Sequence, residues 1–335
     1  MAMPHSTSTV TIDVARTLCE QVSVKEIEPD RFQALFHPAK FGNTGNIAFG
    51  GYALGIGVQA ACQTVPATHL LYSATGSFLG PVVTTSKPLC IVRRIRDTRT
   101  FATRQVEIVQ KHEDGSVRIC MIILADFHKK EPETLLRYST PPSRTYSEPD
   151  KCLSPADASR EMVRQGIIPV ESITDLDTRF GLLSRYFELR QTPEGISGQN
   201  LSGVAKHLPT NQDNLPIPSK TSADWFRARC TVKSWQDQYA GLAFIMDGYL
   251  ASLPFAHSGF FFEDVAACSS LDFALRVFTD EIDLNQWNLR ELKSISADMG
   301  RTYTESRLWN ESGKLIANMT QQCILRPHPT NKPSL

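Results

Sequence analysis

Residues 47–66 constrain the fold more than any other stretch, because no charged residue occurs between Tyr52 and Val65 and the apolar positions leave no polar face. A helix that is apolar on every side is a buried helix. At about 14 residues it is too short to cross a bilayer. The pair Gly50–Gly51 can begin this helix and Pro66 ends it. The sequence therefore predicts a short helix in the centre of the protein.

Two further glycines, Gly55 and Gly57, lie inside this helix. Each costs roughly 1 kcal/mol there relative to alanine, so we expect neighbouring backbone to approach closely at these positions. A short helix that is buried on all sides needs a sheet curled around it, and the flanking sequence supplies the strands.

Strand patterns fall into two halves of the chain with the same element order. In the first half, the predicted strands are a pair within 22–36 before the helix, then 70–79, 89–96, 100–110 and 117–128, with a hairpin turn at Asp114–Gly115. In the second half, we predict strands 183–191 and 225–232, a helix over 235–253, then strands 271–278, 289–298, 302–309 and 315–326, with a turn at 310–313. This repeated order predicts an α+β protein in which each half is a curled antiparallel sheet around one helix. We expect the two sheets to meet edge to edge.

A segment of different composition separates the halves. Five prolines fall between residues 132 and 155 among serines, threonines and charged residues, which is typical of a linker. Within it, Ser154–Pro155 predicts the start of a short helix that ends near Gly166. The resulting division is a first domain over 1–130, a linker over 131–177 and a second domain over 178–328.

Composition excludes several classes of function. Lys+Arg and Asp+Glu are equal at 35 each, so no charge excess favours nucleic acid or an anionic membrane. The first 15 residues contain no apolar signal segment. Eight scattered cysteines without a C-x-x-C pair predict reduced thiols in the cytoplasm. The terminal Leu335 matches only part of the Ser-Lys-Leu peroxisomal address. No membrane span is predicted.

We predict neither a metal nor a cofactor. The eight histidines show no H-E-x-x-H or close metal spacing. Residues 55–60 fit the dinucleotide pattern G-x-G-x-x-A, but these glycines lie inside the predicted helix and not at a strand-to-helix turn. The chain has no G-x-S-x-G sequence, which argues against an α/β-hydrolase.

Asp247 is the unusual residue of the second predicted helix, because the residues three and four positions away from it are all apolar. Burying an unpaired carboxylate costs several kcal/mol unless other groups compensate. One interpretation is that Asp247 faces solvent or caps a break at Gly248. The other is that it faces an active site, where such groups concentrate. Gln321, on one face of the last strand with apolar neighbours, is a second buried polar candidate.

Short motifs in both halves resemble the acyl-CoA thioesterase II family, whose members are two fused hotdog domains. The matching residues are Phe49-Gly50-Gly51, Thr64-Val65-Pro66, Ser77-Phe78-Leu79, Pro81, Arg96-Asp97, Phe101-Ala102-Thr103-Arg104, Trp225, Arg227, Ala243-Phe244-Ile245-Met246-Asp247, Ser270-Leu271-Asp272, Gln321 and Arg326. The resemblance implies that Asp247, Ser270 and Gln321 hold the water that attacks an acyl thioester. Such a reaction requires no cofactor.

The resemblance also implies a substrate-binding helix start, formed by Phe49, Gly50, Gly51 and Tyr52. Backbone N–H groups at a helix N-terminus are suited to stabilise the oxyanion that forms during hydrolysis.

Two departures from the family pattern concern the carrier of the acyl group. Residues 72–75 lack both histidines of the family's His-Ser-x-His, and Gly80 replaces the arginine of Phe-Leu-Arg-Pro-Gly. These changes predict a less cationic entrance. An acyl carrier protein is therefore an alternative to CoA as the carrier, and a homo-oligomer is left open.

Three functions compete at this stage. The first is hydrolysis of an acyl thioester carrying a fatty or polyketide chain. The second is dehydration or cyclisation of a polyketide-type intermediate in secondary metabolism, although the D-x-N-P-x-H pattern of hydratases is absent. The third is a non-catalytic lipid-binding or scaffold protein, which a solvent-exposed Asp247 would favour.

Overall fold

The computed structural model of the protein describes residues 13–43, 45–111 and 115–329. Asp114 of the predicted hairpin turn and the C-terminal Leu335 lie outside these ranges. Gly115, the second residue of that turn, has a φ of 84°, a left-handed conformation that favours glycine.

The elements of the first half follow the predicted order. They are α1 (Leu18–Gln21), β1 (Val24–Glu28), β2 (Arg31–Ala34), α2 (Gly50–Gln63), β3 (His69–Phe78), β4 (Leu89–Asp97), β5 (Phe101–Lys111) and β6 (Val117–Lys129). Helix α2 is buried along almost its whole length, as its apolar sequence requires. Its N-cap is Phe49, one residue before the predicted glycine pair.

The second half contains more helices than the sequence predicted. Its elements are α3 (Pro155–Arg164), α4 (Glu171–Tyr186), β7 (Phe187–Gln191), α5 (Ile196–Asn200), β8 (Ser222–Ala228), α6 (Trp235–Met246), α7 (Leu253–Ser258), β9 (Val265–Val277), β10 (Asn288–Asp298), β11 (Arg301–Asn310) and β12 (Leu315–Pro327). Helix α3 begins after the predicted N-cap Ser154, whose side chain accepts a hydrogen bond from the Asp157 backbone N–H.

Two expectations for the second half are wrong at their boundaries. The predicted strand 183–191 begins as the last turn of α4, because Phe180, Leu183 and Tyr186 recur at helical spacing and are buried together. The predicted helix 235–253 ends at Met246. Tyr249 then takes a left-handed φ of 71°, within the turn that separates α6 from α7.

The twelve strands found in the described part of the chain form one antiparallel sheet. The strand order is β1-β2-β4-β5-β6-β3 in the first half and β7-β8-β10-β11-β12-β9 in the second. The halves therefore have equivalent topology. They join where β3 pairs with β9, with Ser73 opposite Arg276 and Ser77 opposite Asp272. The α+β fold with two curled antiparallel sheets joined at their edges is confirmed.

Helices α2 and α6 pack directly on each other and run in opposite directions. A Cβ atom at Gly51 would lie 2.4 Å from the Phe244 carbonyl oxygen, and one at Gly55 would lie 3.2 Å from the Ala240 carbonyl oxygen. The expected backbone approach at Gly55 is therefore present. Gly57 instead faces side chains of β5 and β6, and its Cβ would lie 2.5 Å from Ile123 Cδ1.

The main apolar core extends through both halves, since residues of α2, α6, β6 and β12 belong to one buried cluster. The division into domains 1–130 and 178–328 with a linker over 131–177 remains a proposal. Under it, α4 is the element that passes from the linker into the second domain.

The helix contact predicts that Gly51→Ala is more destabilising than Gly57→Ala. Both variants gain the helix propensity of alanine, roughly 1 kcal/mol. The new methyl at position 51 meets a backbone oxygen, whereas at position 57 it meets the ends of isoleucine side chains, which can rotate. Chemical denaturation should give a free energy of unfolding at least about 1 kcal/mol lower for Gly51→Ala than for Gly57→Ala. Equal stability would contradict a tight α2–α6 contact.

Candidate active site

A cavity of about 500 Å³ opens between the two halves, at the level where α2 begins and α6 ends. Its size is typical of small-molecule sites. The first half contributes Phe41, Gly42, Asn43, Ile47, Ala48, Phe49, Gly50, Ala53, Phe78, Leu79, Gly80, Pro81, Val82, Cys120 and Met121. The second half contributes Asp247, Tyr249, Ala251, Ser252, Phe262, Cys268, Ser269, Ser270, Leu271 and Ile324. Most of this surface is apolar and aromatic, and among the described residues Asp247 is its one carboxylate.

Asp247 directly follows α6 and is 6 % exposed. Its Oδ1 accepts a hydrogen bond from Gln321 Nε2 at 2.6 Å. Its Oδ2 lies against the first turn of α2, 2.9 Å from where a Cβ at Gly50 would stand. Burial raises the pKa of Asp247 to about 6, although the hydrogen bonds from Gln321 and from the Gly51 backbone N–H lower it. Because Asp247 is buried, the interpretation that it faces solvent is wrong. A solvent-exposed Asp247 was the feature that would have favoured a non-catalytic protein, and the structure does not have it.

Gln321 is completely buried in β12 and is held at both ends of its amide group. Its Nε2 donates to Asp247, and its Oε1 accepts from the Cys323 thiol at 3.4 Å. Since Gln321 does not itself line the cavity, it holds the carboxylate in place from behind.

The other predicted site residues differ in whether they line the cavity, contact Asp247 or lie away from both. Ser270, in β9, is half-buried and lines the same cavity as Asp247. Phe49 and Gly50 also line the cavity, while Gly51 contacts Asp247 through its backbone N–H. Tyr52 is fully buried away from the cavity and donates its hydroxyl to the Phe36 carbonyl at 3.1 Å, so its role is structural.

Arg118 lies directly behind two cavity-lining residues, Gly80 and Pro81, and the sequence did not indicate it. Its side chain lies 3.4 Å from where a Cβ at Gly80 would stand, and its guanidinium donates to the Pro81 carbonyl. Among the described residues, no carboxylate forms an ion pair with Arg118, and its Nε is buried without a partner. No local sequence pattern indicates this position, because strand pairing brings residue 118 beside residue 80.

Family comparisons agree with this architecture. A model described as the acyl-CoA thioesterase N-terminal domain matches residues 37–128, and one described as the acyl-CoA thioesterase C-terminal domain matches residues 174–325. The chain is 23 % identical to Acyl-CoA thioesterase 2 of Haemophilus influenzae over 280 residues, which are 83 % of this chain and 87 % of that protein.

Solved structures share the whole fold. The acyl-CoA thioesterase II TesB2 of Mycobacterium marinum superposes with a TM-score of 0.65 at 20 % identity and covers 94 % of this chain and 99 % of its own. A protein with a hot dog fold from Alicyclobacillus acidocaldarius has a TM-score of 0.63 at 13 % identity, over 93 % and 99 % of the two chains.

The fold and the two family matches define a double-hotdog thioester hydrolase. The chain belongs to the acyl-CoA thioesterase II family. This membership supports hydrolysis, the first of the three functions considered. Within the described residues, every helix is too short or too polar to cross a membrane.

The buried carboxylate predicts that Asp247→Asn stabilises the fold at alkaline pH. The pKa of Asp247 is about 6 in the folded protein, above the ordinary value of 3.8. Its contribution to stability is therefore fully present below about pH 4 and is lost as the pH rises through 6. At pH 8 the variant should gain up to roughly 3 kcal/mol, and the gain should disappear near pH 4.

Thermal unfolding at both pH values measures this effect. Asp150→Asn, which removes an exposed carboxylate, controls for the change in net charge. Equal stability of wild type and Asp247→Asn at pH 8 would contradict burial of a charged group.

Proposed function

We propose that the protein hydrolyses acyl thioesters with Asp247 as the general base. The observation that supports this most is a nearly fully buried carboxylate at the wall of an apolar cavity, with a pKa raised to about 6. At neutral pH this carboxylate is ionised, yet its pKa is close enough to 7 for efficient proton transfer. Asp247 takes a proton from a water molecule as the water oxygen attacks the thioester carbonyl carbon.

Gln321 and Ser270 have different tasks in this proposal. The Gln321 amide fixes Oδ1 of Asp247, which leaves Oδ2 to accept the proton. The Ser270 hydroxyl, on the cavity wall, orients the attacking water. Orientation of this kind lowers the barrier by preorganising the reactants.

The start of α2 stabilises the negative charge that develops on the substrate oxygen. Gly50 lines the cavity and has no side chain, so its backbone N–H and the positive end of the helix are open to the thioester oxygen. They stabilise the tetrahedral oxyanion. When that intermediate collapses, the C–S bond breaks, the sulfur leaves as a thiolate that is then protonated, and the free acid remains.

Replacement of the base should abolish catalysis without loss of the fold. We expect Asp247→Asn and Asp247→Ala to lower kcat on the order of a hundredfold to ten-thousandfold, and Gln321→Ala to lower it less. Single-turnover assays on a panel of acyl thioesters measure these rates.

Asp237→Asn is the matched control. Asp237 lies at the opposite end of the same helix pair and accepts an amide hydrogen bond from Gln59 at 2.7 Å, but it does not line the cavity. This variant should keep the wild-type rate. Undiminished hydrolysis by the Asp247 variants would assign the chemistry to other residues.

CoA is the carrier that the entrance favours. The sequence predicted a less cationic entrance because Gly80 replaces an arginine, but the Arg118 guanidinium occupies the space beside Gly80. A guanidinium is suited to bind phosphate oxygens. We propose that Arg118 contacts the phosphates of CoA, and that an acyl carrier protein is the less favoured carrier.

Arg118→Gln should therefore reduce kcat/KM for an acyl-CoA by about tenfold to a hundredfold, the effect of one charge-assisted contact. It should leave kcat/KM unchanged for the same acyl group on a short pantetheine thioester, which lacks those phosphates. Arg93→Gln, which changes an exposed arginine of β4, is the control. Equal losses on both substrates, or a loss in Arg93→Gln only, would contradict this role of Arg118.

A further inference from the structure

We propose that Arg290 is a positioning residue for hydrolysis, because it holds the end of α6 and thereby places Asp247 at the cavity. This inference rests on the proposed role of Asp247 as the base. Arg290 lies in β10, is completely buried and does not line the cavity, so it would act only through the helix end.

The contact to the helix end involves the carbonyl groups on either side of Asp247. Arg290 Nη1 donates to the Ile245 carbonyl at 2.5 Å and to the Gly248 carbonyl at 3.4 Å. The last carbonyls of a helix have no partners within the helix, and a cation is favourable there. Arg290 therefore fixes the backbone both before and after the carboxylate.

Arg290 is itself fixed by the sheet. Asp224 lies opposite Arg290 in the pairing of β8 with β10. Its carboxylate accepts hydrogen bonds from Arg290 Nε at 3.0 Å and from Arg290 Nη2 at 2.7 Å. This two-point ion pair determines the plane of the guanidinium as well as its position. The sheet therefore holds Arg290 in place, and Arg290 in turn holds the end of α6 in place.

The turn after Asp247 also lies against the Arg290 side chain. Tyr249 has a left-handed φ of 71°, a costly conformation for a large residue. Its ring lies 5.6 Å from Arg290 Cζ and also lines the cavity. A side chain at Gly248 would crowd its neighbours, because a Cβ there would lie 2.8 Å from Leu183 Cδ1 and 3.2 Å from Arg290 Nη1.

The first half of the chain contains a natural comparison. Arg104, in β5, is also buried and binds the C-terminal end of α2. It donates to the Thr64 hydroxyl at 2.8 Å and to the Thr64 carbonyl at 3.1 Å, and it pairs with Asp97 at 2.6 Å. The two arginines thus do the same structural work at the ends of the two central helices. They differ because α6 ends at the proposed base, whereas the end of α2 does not line the cavity.

This difference separates a positioning role from a purely structural one. Arg290→Lys and Arg104→Lys each keep the positive charge but lose the planar fork, so both should lower the melting temperature. Arg290→Lys should also lower kcat by about tenfold to a hundredfold, the cost of misplacing a reacting group by about 1 Å. Its KM should stay within about threefold of wild type. Arg104→Lys should keep both kcat and KM within about threefold, calculated per folded enzyme.

Steady-state kinetics on one acyl-CoA, with the folded fraction measured by thermal unfolding, provides the test. If Arg290→Lys does not fold, Asp224→Asn and Asp97→Asn form the second matched pair, with the same expected contrast. A kcat within threefold of wild type for the variant of the Arg290–Asp224 pair, or an equal loss in its Arg104–Asp97 counterpart, would overturn the proposal.

Asp247→Asn in the same assay separates the two hypotheses. If it is inactive while Arg290→Lys keeps the wild-type kcat, the base is correct and the positioning role is wrong. If Asp247→Asn remains active, the proposed base itself is wrong, whatever the arginine variants show.

Discussion

The burial of Asp247 where two helices meet is the interaction on which the rest of the site depends. A carboxylate in such a place is costly unless hydrogen bonds compensate. Gln321 and the Gly51 backbone N–H supply part of that compensation, and the pKa still rises to about 6. The same contact explains the glycines that begin α2, because a side chain at Gly50 or Gly51 would displace the carboxylate or the facing helix. The atoms that pack the first turn of α2 against the end of α6 are therefore also those that surround the proposed base.

Helices α2 and α6 run in opposite directions, so at each end of this helix pair the start of one helix meets the end of the other. The two ends of the pair carry different residues. Where α2 begins and α6 ends, Asp247 lines a cavity with apolar walls. At the other end, Asp237 accepts a hydrogen bond from Gln59 and does not line that cavity. Because α2 comes from the first half and the proposed base from the second, neither half contains the site alone. The pairing of β3 with β9 is what brings the two parts together.

Local patterns in the sequence were sufficient for the strand order and for helices α2, α3 and α6, but not for the additional helices α4, α5 and α7 or for every boundary. Helix α2 followed from its uncharged run, and Asp247 stood out because no nearby residue could pair with it. The early end of α6 was not predictable, because Arg290, which binds the last carbonyls, lies 45 positions from Ile245 along the chain. Arg118 was missed for the same reason, since only the folded sheet places it beside Gly80. Long-range pairs of this kind leave no periodic signal.

The titration of Asp247 tests the central claim most directly. The carboxyl ¹³C resonance of Asp247, assigned by comparison with Asp247→Asn in protein labelled at aspartate, should titrate with a midpoint near pH 6. The single-turnover rate of thioester hydrolysis should rise with the same midpoint as the base loses its proton. A carboxyl midpoint below pH 4, or a rate that does not follow the titration, would contradict the account of Asp247 as a buried general base.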